Sequence, residues 1–474
     1  MADKLTVDIC VIGAGSGGLS VAAGAAQMGA KTVLIEKHKM GGDCLNTGCV
    51  PSKALLAAGH AAEAVRQAAK FGIRSGLPKI QSSDVYAHIQ NTIKAIAPND
   101  SIERFEGLGV TVIKGEGRFV GPNQVVVGNT TIKARRIVVA TGSHASVPPI
   151  PGLDRVRYHT NETIFEADTL PKHLIIIGGG PIGIEMAQAH RHLGAKVTLL
   201  ELFTIMPNDD PELVDVVRMQ LANDGVNIIE GTNINMIEPA TNGVQVNIER
   251  NGENQTIVGS DLLIAAGRTA NVDGLDLELA GIRHSKKGIE VDARLRTSNK
   301  KVFAIGDVAG GYQFTHVAGY HAGVVIKNAL FRIPAKADHR TVPWVTYTSP
   351  ELAQVGMTEQ QARKAHNHIR VLRWPFHEND RAQAEQKTDG LIKIITTPKG
   401  KILGCGIVGS TAGELIQTWA LALSQNIKIG AMAQVIAPYP TLGEVSKRAA
   451  SSFYTASLFS DRTRKIVRFL AKFG

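Results

Sequence analysis

A chain of 474 residues has the length of about three domains and can bury a large core. Hydrophobic residues at 44% and charged residues at 20% are ordinary soluble composition, and only four cysteines in this length exclude a secreted scaffold built on disulphides. The formal charge of +10 is scattered without a nucleic-acid motif, which argues against nucleic-acid binding and leaves anionic substrates or surfaces open.

The first residues lack the basic-then-apolar order of a secretory leader, and no apolar run approaches the roughly 18–20 residues of a membrane span. A cytoplasmic protein is expected. Residues 8–13 are a short apolar run of the kind that forms a strand buried on both faces. It leads into Gly13-Ala-Gly15-Ser-Gly-Gly18, a small-residue helix over 19–28, and a second strand over 31–35 ending at Glu36. This is the full dinucleotide fingerprint. Two glycines let the backbone turn and approach a pyrophosphate, the third packs helix on strand, and the acid meets a ribose hydroxyl.

Cys44-Leu-Asn-Thr-Gly-Cys49 follows, preceded by Gly41-Gly42 and continued by Val50-Pro51-Ser52-Lys53. The two cysteines are close enough in the chain to form a small disulphide ring. The Ala/Leu-rich residues 53–69 predict a helix, with Pro51 suited to its first turn. A thiol at a helix N-terminus has its thiolate favoured by unpaired N–H groups and the helix dipole. A redox-active pair is the chemical reading; an inert bridge or two buried thiols fit the spacing as well.

Residues 123–132 read as hairpin strands around Gly128-Asn129, and 136–140 as a separate strand ending at Thr141-Gly142. The proline-rich stretch 148–152 cannot continue a sheet and marks a domain boundary. The fingerprint then recurs: an apolar strand at 173–177, Gly178-Gly-Gly180-Pro-Ile-Gly183, a helix, a strand at 196–200, and Glu201. The offset is 165 residues at Gly13/Gly178, Gly15/Gly180, Gly18/Gly183 and Glu36/Glu201. Two such units imply two dinucleotides, one a flavin and one a nicotinamide. Glu201 can accept from a free 2′-hydroxyl and would repel a 2′-phosphate, which favours NADH over NADPH. Further strands are expected at 261–266, before Gly267-Arg268, and at 301–305, before Gly306-Asp307. Strands at 344–348, 390–396 and 401–408 and helices at 413–424 and 443–457 make up a last region. Cys10 and Cys405 sit in apolar strand-like runs and read as small buried hydrophobes.

Gly41-Gly-Asp-Cys44-Leu-Asn46-Thr-Gly48-Cys49-Val-Pro51-Ser52-Lys53, with Ala140-Thr141-Gly142, Gly267-Arg268 and Ala304-Ile305-Gly306-Asp307 in the same order, resembles the class I pyridine nucleotide–disulphide oxidoreductases. That group includes dihydrolipoyl dehydrogenase, glutathione reductase and mercuric reductase, and the resemblance covers the whole chain. It implies an α/β protein with two Rossmann-type domains and a C-terminal α+β dimerisation domain. The expected limits are 1–150 for the first part of the FAD domain and 151–270 for the NAD domain. Residues 271–341 would complete the FAD domain, and 342–474 would be the dimerisation domain.

The resemblance further implies a homodimeric FAD enzyme passing electrons between NADH, flavin, a Cys44–Cys49 disulphide and a small thiol, disulphide or lipoyl substrate. Cys49 would face the flavin and form the charge-transfer pair; Cys44 would be the interchange thiol. Lys53, one helical turn beyond Cys49, would lie by the flavin ring with Glu185 as its partner. Thr141, Gly142, Gly306 and Asp307 would help hold FAD, and Gly267 and Arg268 would lie in the nicotinamide region.

One position departs from that pattern. Dihydrolipoyl dehydrogenase and glutathione reductase carry His-Pro-Thr and then a glutamate near the C-terminus, the histidine serving the partner subunit's interchange thiol as acid/base. Here Tyr439-Pro-Thr441 precedes Glu444. Phenol titrates near ~10 and is a poor general base at neutral pH. A tyrosine there is similar to mercuric reductase, but the tail has no adjacent cysteine pair and the chain has no N-terminal CxxC module. Alternative functions are therefore a metal-ion reductase, an NADH diaphorase or quinone reductase, and a non-catalytic redox-sensing flavoprotein. His316 follows the Gly306-Asp307 motif and is expected to pack near the flavin, with an acid/base role as the alternative. No His-x-x-x-His spacing stands beside a carboxylate, so no resident metal is expected. Residues 461–473 combine Arg462, Arg464, Lys465, Arg468 and Lys472 with Ile466, Phe469, Leu470 and Phe473 at helical spacing. This basic amphipathic tail docks on its own dimer or meets an anionic membrane or partner surface.

Overall fold

The computed structural model describes residues 3–473. The chain divides into two compact units, one formed by the residues up to Phe203 together with Val226–Asp338, the other by Thr204–Gly225 together with the residues from His339 on. Both are built from helices packed on sheets, the first as α/β around parallel sheets and the second as α+β around an antiparallel one.

In the first unit the principal sheet runs in the order Val110–Lys114, Thr32–Glu36, Asp3–Ile12, Thr130–Val139, Gln124–Val127, Arg118–Gly121, with Val302–Ala304 also paired to Thr130–Val139. Its first four strands and Val302–Ala304 are parallel. Side chains alternate between the two faces of a strand, so Cys10 and Ile12 enter one core and Ile9 and Val11 the other. The second of these cores lies under the helices Ser16–Gln27 and Thr315–Ala329. Covering both faces is what makes residues 9–12 apolar at every position, and it leaves Cys10 buried with its thiol pushed up to about 12.

The hairpin around Gly128 forms, but its second strand runs on without a break, so that Thr130–Val139 is one strand and not two. Lys133 and Arg135 interrupt the apolar pattern in the sequence, yet they are exposed positions that alternate with the buried Ile132 and Ala134, and the strand continues into the fully buried 137–139.

A second parallel sheet, in the order Val226–Ile229, Lys196–Leu200, His173–Ile177, Asp261–Ile264, carries the repeated fingerprint. A three-stranded antiparallel sheet, Asn233–Ala240, Gly243–Arg250 and Glu253–Gly259, packs on it through Ile237, Val246 and Ile248.

The C-terminal unit is a five-stranded antiparallel sheet in the order Pro343–Thr346, Glu351–Gly356, Ile402–Gly409, Leu391–Thr396, Arg370–Pro375. The helices Ala412–Ser424 and Glu444–Leu458 cover it and bury Trp419, Ile416, Val445 and Ala449 against the sheet residues Ile394 and Ile407. Cys405 lies inside this core. The helix Pro211–Asp224 belongs here too, although it is far away in the chain. It is capped by Asp210, whose carboxylate also meets the buried Lys393 ammonium at 2.8 Å. Glu212 and Glu359 complete the cage around Lys393 at 2.8 and 2.7 Å, and Arg373 clamps Glu212 in a two-pronged contact. Among the described residues no helix is long and apolar enough to cross a membrane.

Candidate active site

The glycines of the two fingerprints occupy matching geometries. Gly13 and Gly178 have φ of 103° and 117°, and a Cβ on either would lie 2.4 or 2.3 Å from the carbonyl oxygen of Ala140 or Ala265. Each first glycine therefore turns the chain against the end of a neighbouring strand. A Cβ on Gly18 or Gly183 would lie 1.8 or 1.9 Å from the carbonyl oxygen of Gly13 or Gly178, so these positions close helix onto loop. The middle glycines differ: nothing lies within 4 Å of a Cβ built on Gly15 or Gly180. No packing constraint of the fold itself explains a glycine there, whereas a dinucleotide's pyrophosphate brought against the helix N-terminus does.

The acids are placed identically as well. Glu36 accepts hydrogen bonds from the backbone N–H groups of Ala14 and His38, both at 2.7 Å. Glu201 accepts from Gly179 at 2.6 Å and Phe203 at 3.0 Å. Each carboxylate thus ties the end of its second strand to its own glycine loop. The residues of both loops therefore fit a dinucleotide.

Around the first loop the separate motifs converge. Thr141 is held by two hydrogen bonds with Asn271, donating to its carbonyl at 2.7 Å and accepting from its side chain at 2.8 Å. Gly142 and Gly306 have φ of 69° and 66°. Asp307 accepts from Ser143 Oγ at 2.5 Å, and burial pushes its carboxyl up. Arg268, on the strand Arg268–Ala270 after Gly267, donates to Ser143 Oγ at 2.7 Å and to its carbonyl at 3.0 Å, and meets Asp43 at 3.1 Å. Asp43 directly precedes Cys44, so the cysteine loop is anchored to the residues of two other motifs. Asn161 adds a bond to Asp43 at 2.9 Å.

Cys44 sits in the short helix Gly42–Asn46, and Cys49 is the first residue of the helix Cys49–Gln67, which begins four residues earlier than the Ala/Leu pattern indicates. The stretch 49–52 carries no apolar periodicity; it is helical because Gly48 caps it and Pro51 fits its first turn. Both cysteines are free thiols. The two behave oppositely. A hydrogen bond from Cys44 foremost, then one from Thr315 and the nearby Lys53 ammonium, hold Cys49 down at about 6 against burial and the Asp43 charge. Cys44 is pushed far up, first by that same hydrogen bond and then by burial. One proton is therefore held by Cys44 and offered to a Cys49 thiolate. The helix N-terminus favours the same arrangement.

Lys53 Nζ lies 2.8 Å from Glu185 Oε2. Glu185 comes from the helix Pro181–His192, which follows the second glycine loop, so one ion pair joins the two fingerprints. Thr315 Oγ1 lies 3.4 Å from Cys49 Sγ, a neighbour that the sequence reading passed over for His316. His316 is exposed and stacks on Phe314 with ring centroids 5.2 Å apart. Tyr439 and Glu444 lie in the C-terminal unit. The exposed Tyr439 donates to Asp380 at 2.8 Å, and that bond, with the Asp380 charge, raises its phenol further. Glu444 opens the helix Glu444–Leu458 and is paired with Arg448 at 3.0 Å. Among the described residues no group of three or more His, Cys, Asp or Glu could hold a metal ion.

Residues 7–322 match the pyridine nucleotide-disulphide oxidoreductase family and residues 342–450 its dimerisation domain. The chain belongs to this family of NAD(P)H-dependent flavin disulphide oxidoreductases. Among its relatives, mercuric reductase of Bacillus cereus is 33% identical over 449 residues, covering 94% of this chain and 71% of that protein. Dihydrolipoyl dehydrogenase of Geobacillus stearothermophilus is 34% identical over 455 residues, covering 94% of this chain and 96% of that one. Among solved structures, the Cu(II) complex of the HOCl-induced flavoprotein disulphide reductase RclA from Escherichia coli superposes with a TM-score of 0.84 at 27% identity, covering 94% and 99% of the two chains.

Proposed function

We propose that the protein is a cytoplasmic homodimer that uses NADH to reduce a small thiol/disulphide-type substrate through the Cys44–Cys49 pair. The observation that carries this reading is the placement of the Cys44–Cys49 pair at the head of the helix Cys49–Gln67, with Thr315 Oγ1 3.4 Å from Cys49 Sγ and the Lys53–Glu185 ion pair one turn on; this setting pushes the Cys49 thiol down and the Cys44 thiol up. In this reading FAD is held by Gly13, Gly15, Gly18, Glu36, Thr141, Gly142, Gly306 and Asp307, within 1–150 and 271–341. NAD(H) is held within 151–270 by Gly178, Gly180, Gly183 and Glu201, with Gly267 and Arg268 along the nicotinamide side. FAD, when bound, supplies two-electron transfer between nicotinamide and dithiol. Residues 342–474 form the dimer and bring Tyr439 and Glu444 to the partner's site.

The chain's own residues account for the disulphide half of the cycle. The Cys44–Cys49 bond takes up two electrons and one proton and becomes a Cys44 thiol beside a Cys49 thiolate. Lys53, fixed by Glu185, compensates the negative sulphur. The Cys44 thiolate attacks the substrate disulphide, forms a mixed disulphide and expels one half as a thiolate, which takes up the proton Cys44 gave up. The Cys49 thiolate then attacks the Cys44 sulphur, expels the second half as a thiolate that is protonated from water, and restores the Cys44–Cys49 bond, so two electrons reach the substrate.

A second reading, reduction of a soft metal ion, is favoured by Tyr439. Its hydrogen bond to Asp380 keeps it a donor, which suits an acceptor that needs no base at the outer thiol. Similarity to mercuric reductase and to a flavoprotein disulphide reductase solved as its Cu(II) complex supports it. Anaerobic titration of the NADH-reduced holoenzyme with lipoamide, glutathione disulphide, Hg(II) and Cu(II), following flavin reoxidation, separates the two. Reoxidation by none of them, with full NADH turnover retained in Cys44→Ser, overturns both and leaves a diaphorase.

A further inference from the structure

The family match ends at residue 450, and the chain continues past it. After Leu458 and Phe459, both exposed, Ser460 caps a separate helix, Asp461–Leu470, by accepting from the backbone of Thr463. None of its residues is buried. Ile466, Val467, Phe469 and Leu470 are 48–59% exposed, and Phe473, at 75%, sets its ring edge-on to Phe469 with centroids 5.2 Å apart. At 100° per residue these side chains share one broad face. Arg464, Lys465, Arg468 and Lys472 fall on the rest of the helix and its last turn. Arg462 lies one turn before Ile466, at the head of the apolar face. Asp461 is the only acid among these residues.

A helix that docked on its own unit would bury the apolar face and leave the cations in water. Here the apolar face stays outside, with a shallow concavity between Ile466 and Phe469 rimmed by Arg462 and Lys465. Large rings and branched chains beside cations match a surface that is negative at its boundary and apolar a few ångströms deeper, with the cationic side chains reaching up to the boundary. An acidic protein groove would offer the charge without that depth profile.

We propose that residues 461–473 lie flat on an anionic phospholipid bilayer, apolar face down, and tether the enzyme peripherally to it. The tether adds to the reductase reading without depending on which acceptor is used.

The test is flotation of the FAD-loaded, full-length protein with two kinds of vesicle, pure phosphatidylcholine and equal parts phosphatidylcholine and phosphatidylglycerol. The expected result is capture by the phosphatidylglycerol vesicles alone, weakened by raised salt. Removal of residues 461–474 should reduce capture at least about tenfold, as should Phe469→Ser with Phe473→Ser. Arg464→Glu with Arg468→Glu should abolish it while leaving flavin content and NADH turnover in solution unchanged. Capture that persists without the tail, or absence of capture by either vesicle, overturns the proposal. So does a shortened protein that elutes as a smaller oligomer, which would assign the helix to a second copy.

Discussion

Lys53 and Glu185, 132 positions apart in the chain, meet at 2.8 Å with the carboxylate almost wholly buried and the ammonium partly open. The pair fixes the first turns of the cysteine helix against the helix of the second fingerprint. Lys53→Met leaves Glu185 buried without its cation. The expected loss of stability is about 1–2 kcal/mol, less than for a fully buried pair because the Lys53 side chain is 38% exposed. The same change removes one of the groups that hold Cys49 down. In the wild type, alkylation of Cys49 by iodoacetamide should rise through about pH 6 as thiol gives way to thiolate, and in Lys53→Met the midpoint should move upward. Thr315→Val should move it in the same direction.

The glycines predict a separation of folding from binding. Gly183→Ala drives a Cβ against the Gly178 carbonyl and should destabilise by about 1–3 kcal/mol. Gly180→Ala meets nothing in the fold and should melt like the wild type. It should still raise the KM for NADH about tenfold or more, because the added methyl occupies the pyrophosphate's approach. Gly15→Ala should do the same for FAD retention, measured by the flavin-to-protein ratio after dialysis.

Glu201 gives a test of nicotinamide choice. With the carboxylate in place, kcat/KM should favour NADH over NADPH. Glu201→Ala should narrow that ratio by about tenfold, chiefly through NADPH, as the repulsion of a 2′-phosphate is lost. Some loss with NADH is expected too, since Glu201 also braces the Gly179 backbone.

Tyr439→His puts a group titrating near neutrality where the phenol stands. If Tyr439 limits proton handling at the outer thiol, turnover with dihydrolipoamide should rise by about tenfold or more in this variant and acquire a pH midpoint near 6–7. Asp380→Ala should lower the phenol toward its ordinary value, because the bond and charge that raise it are gone. A spectrophotometric tyrosine titration reads that shift.

In the C-terminal unit, Lys393 is 4% exposed among three carboxylates, and Lys393→Met should cost about 3–5 kcal/mol by leaving them to repel one another. Glu212 adds a pH signature. Arg373 first, and then Lys393, hold its carboxyl down to about 2, below the roughly 4.3 of an unfolded chain. A depressed acid stabilises the fold above its unfolded value and loses that contribution as pH falls through its folded one. Urea midpoints should therefore drop between about pH 4.5 and 2, and Glu212→Gln should flatten that drop.

The cysteine pair and both glycine loops were legible because each is a run of adjacent residues whose chemistry is set by spacing. Arg268 was legible as a motif residue, but its bonds to Asp43 and Ser143 were not, since three separate loops must fold before they meet. The start of the cysteine helix was misread by four residues because Pro51 and the cap at Gly48 extend it where apolar periodicity is absent. Lys393 gave no warning either. It sits in a strand of isoleucines and looks like its solvent-facing position, until a helix from residues 211–224 arrives with the carboxylates that let a cation stay buried.

That helix has a consequence for how the chain is made and cut. Because Thr204–Gly225 leaves the first unit and returns to it, the two units are tethered covalently at Phe203–Thr204, Gly225–Val226 and Asp338–His339. A protease nick at any single junction leaves the halves attached. On the ribosome, the apolar side of Pro211–Asp224, with Leu213, Val214, Val217 and Leu221, emerges long before the sheet that covers it. A nascent chain arrested at Asp338 would carry that side uncovered, a surface that invites a chaperone until the last third of translation is complete.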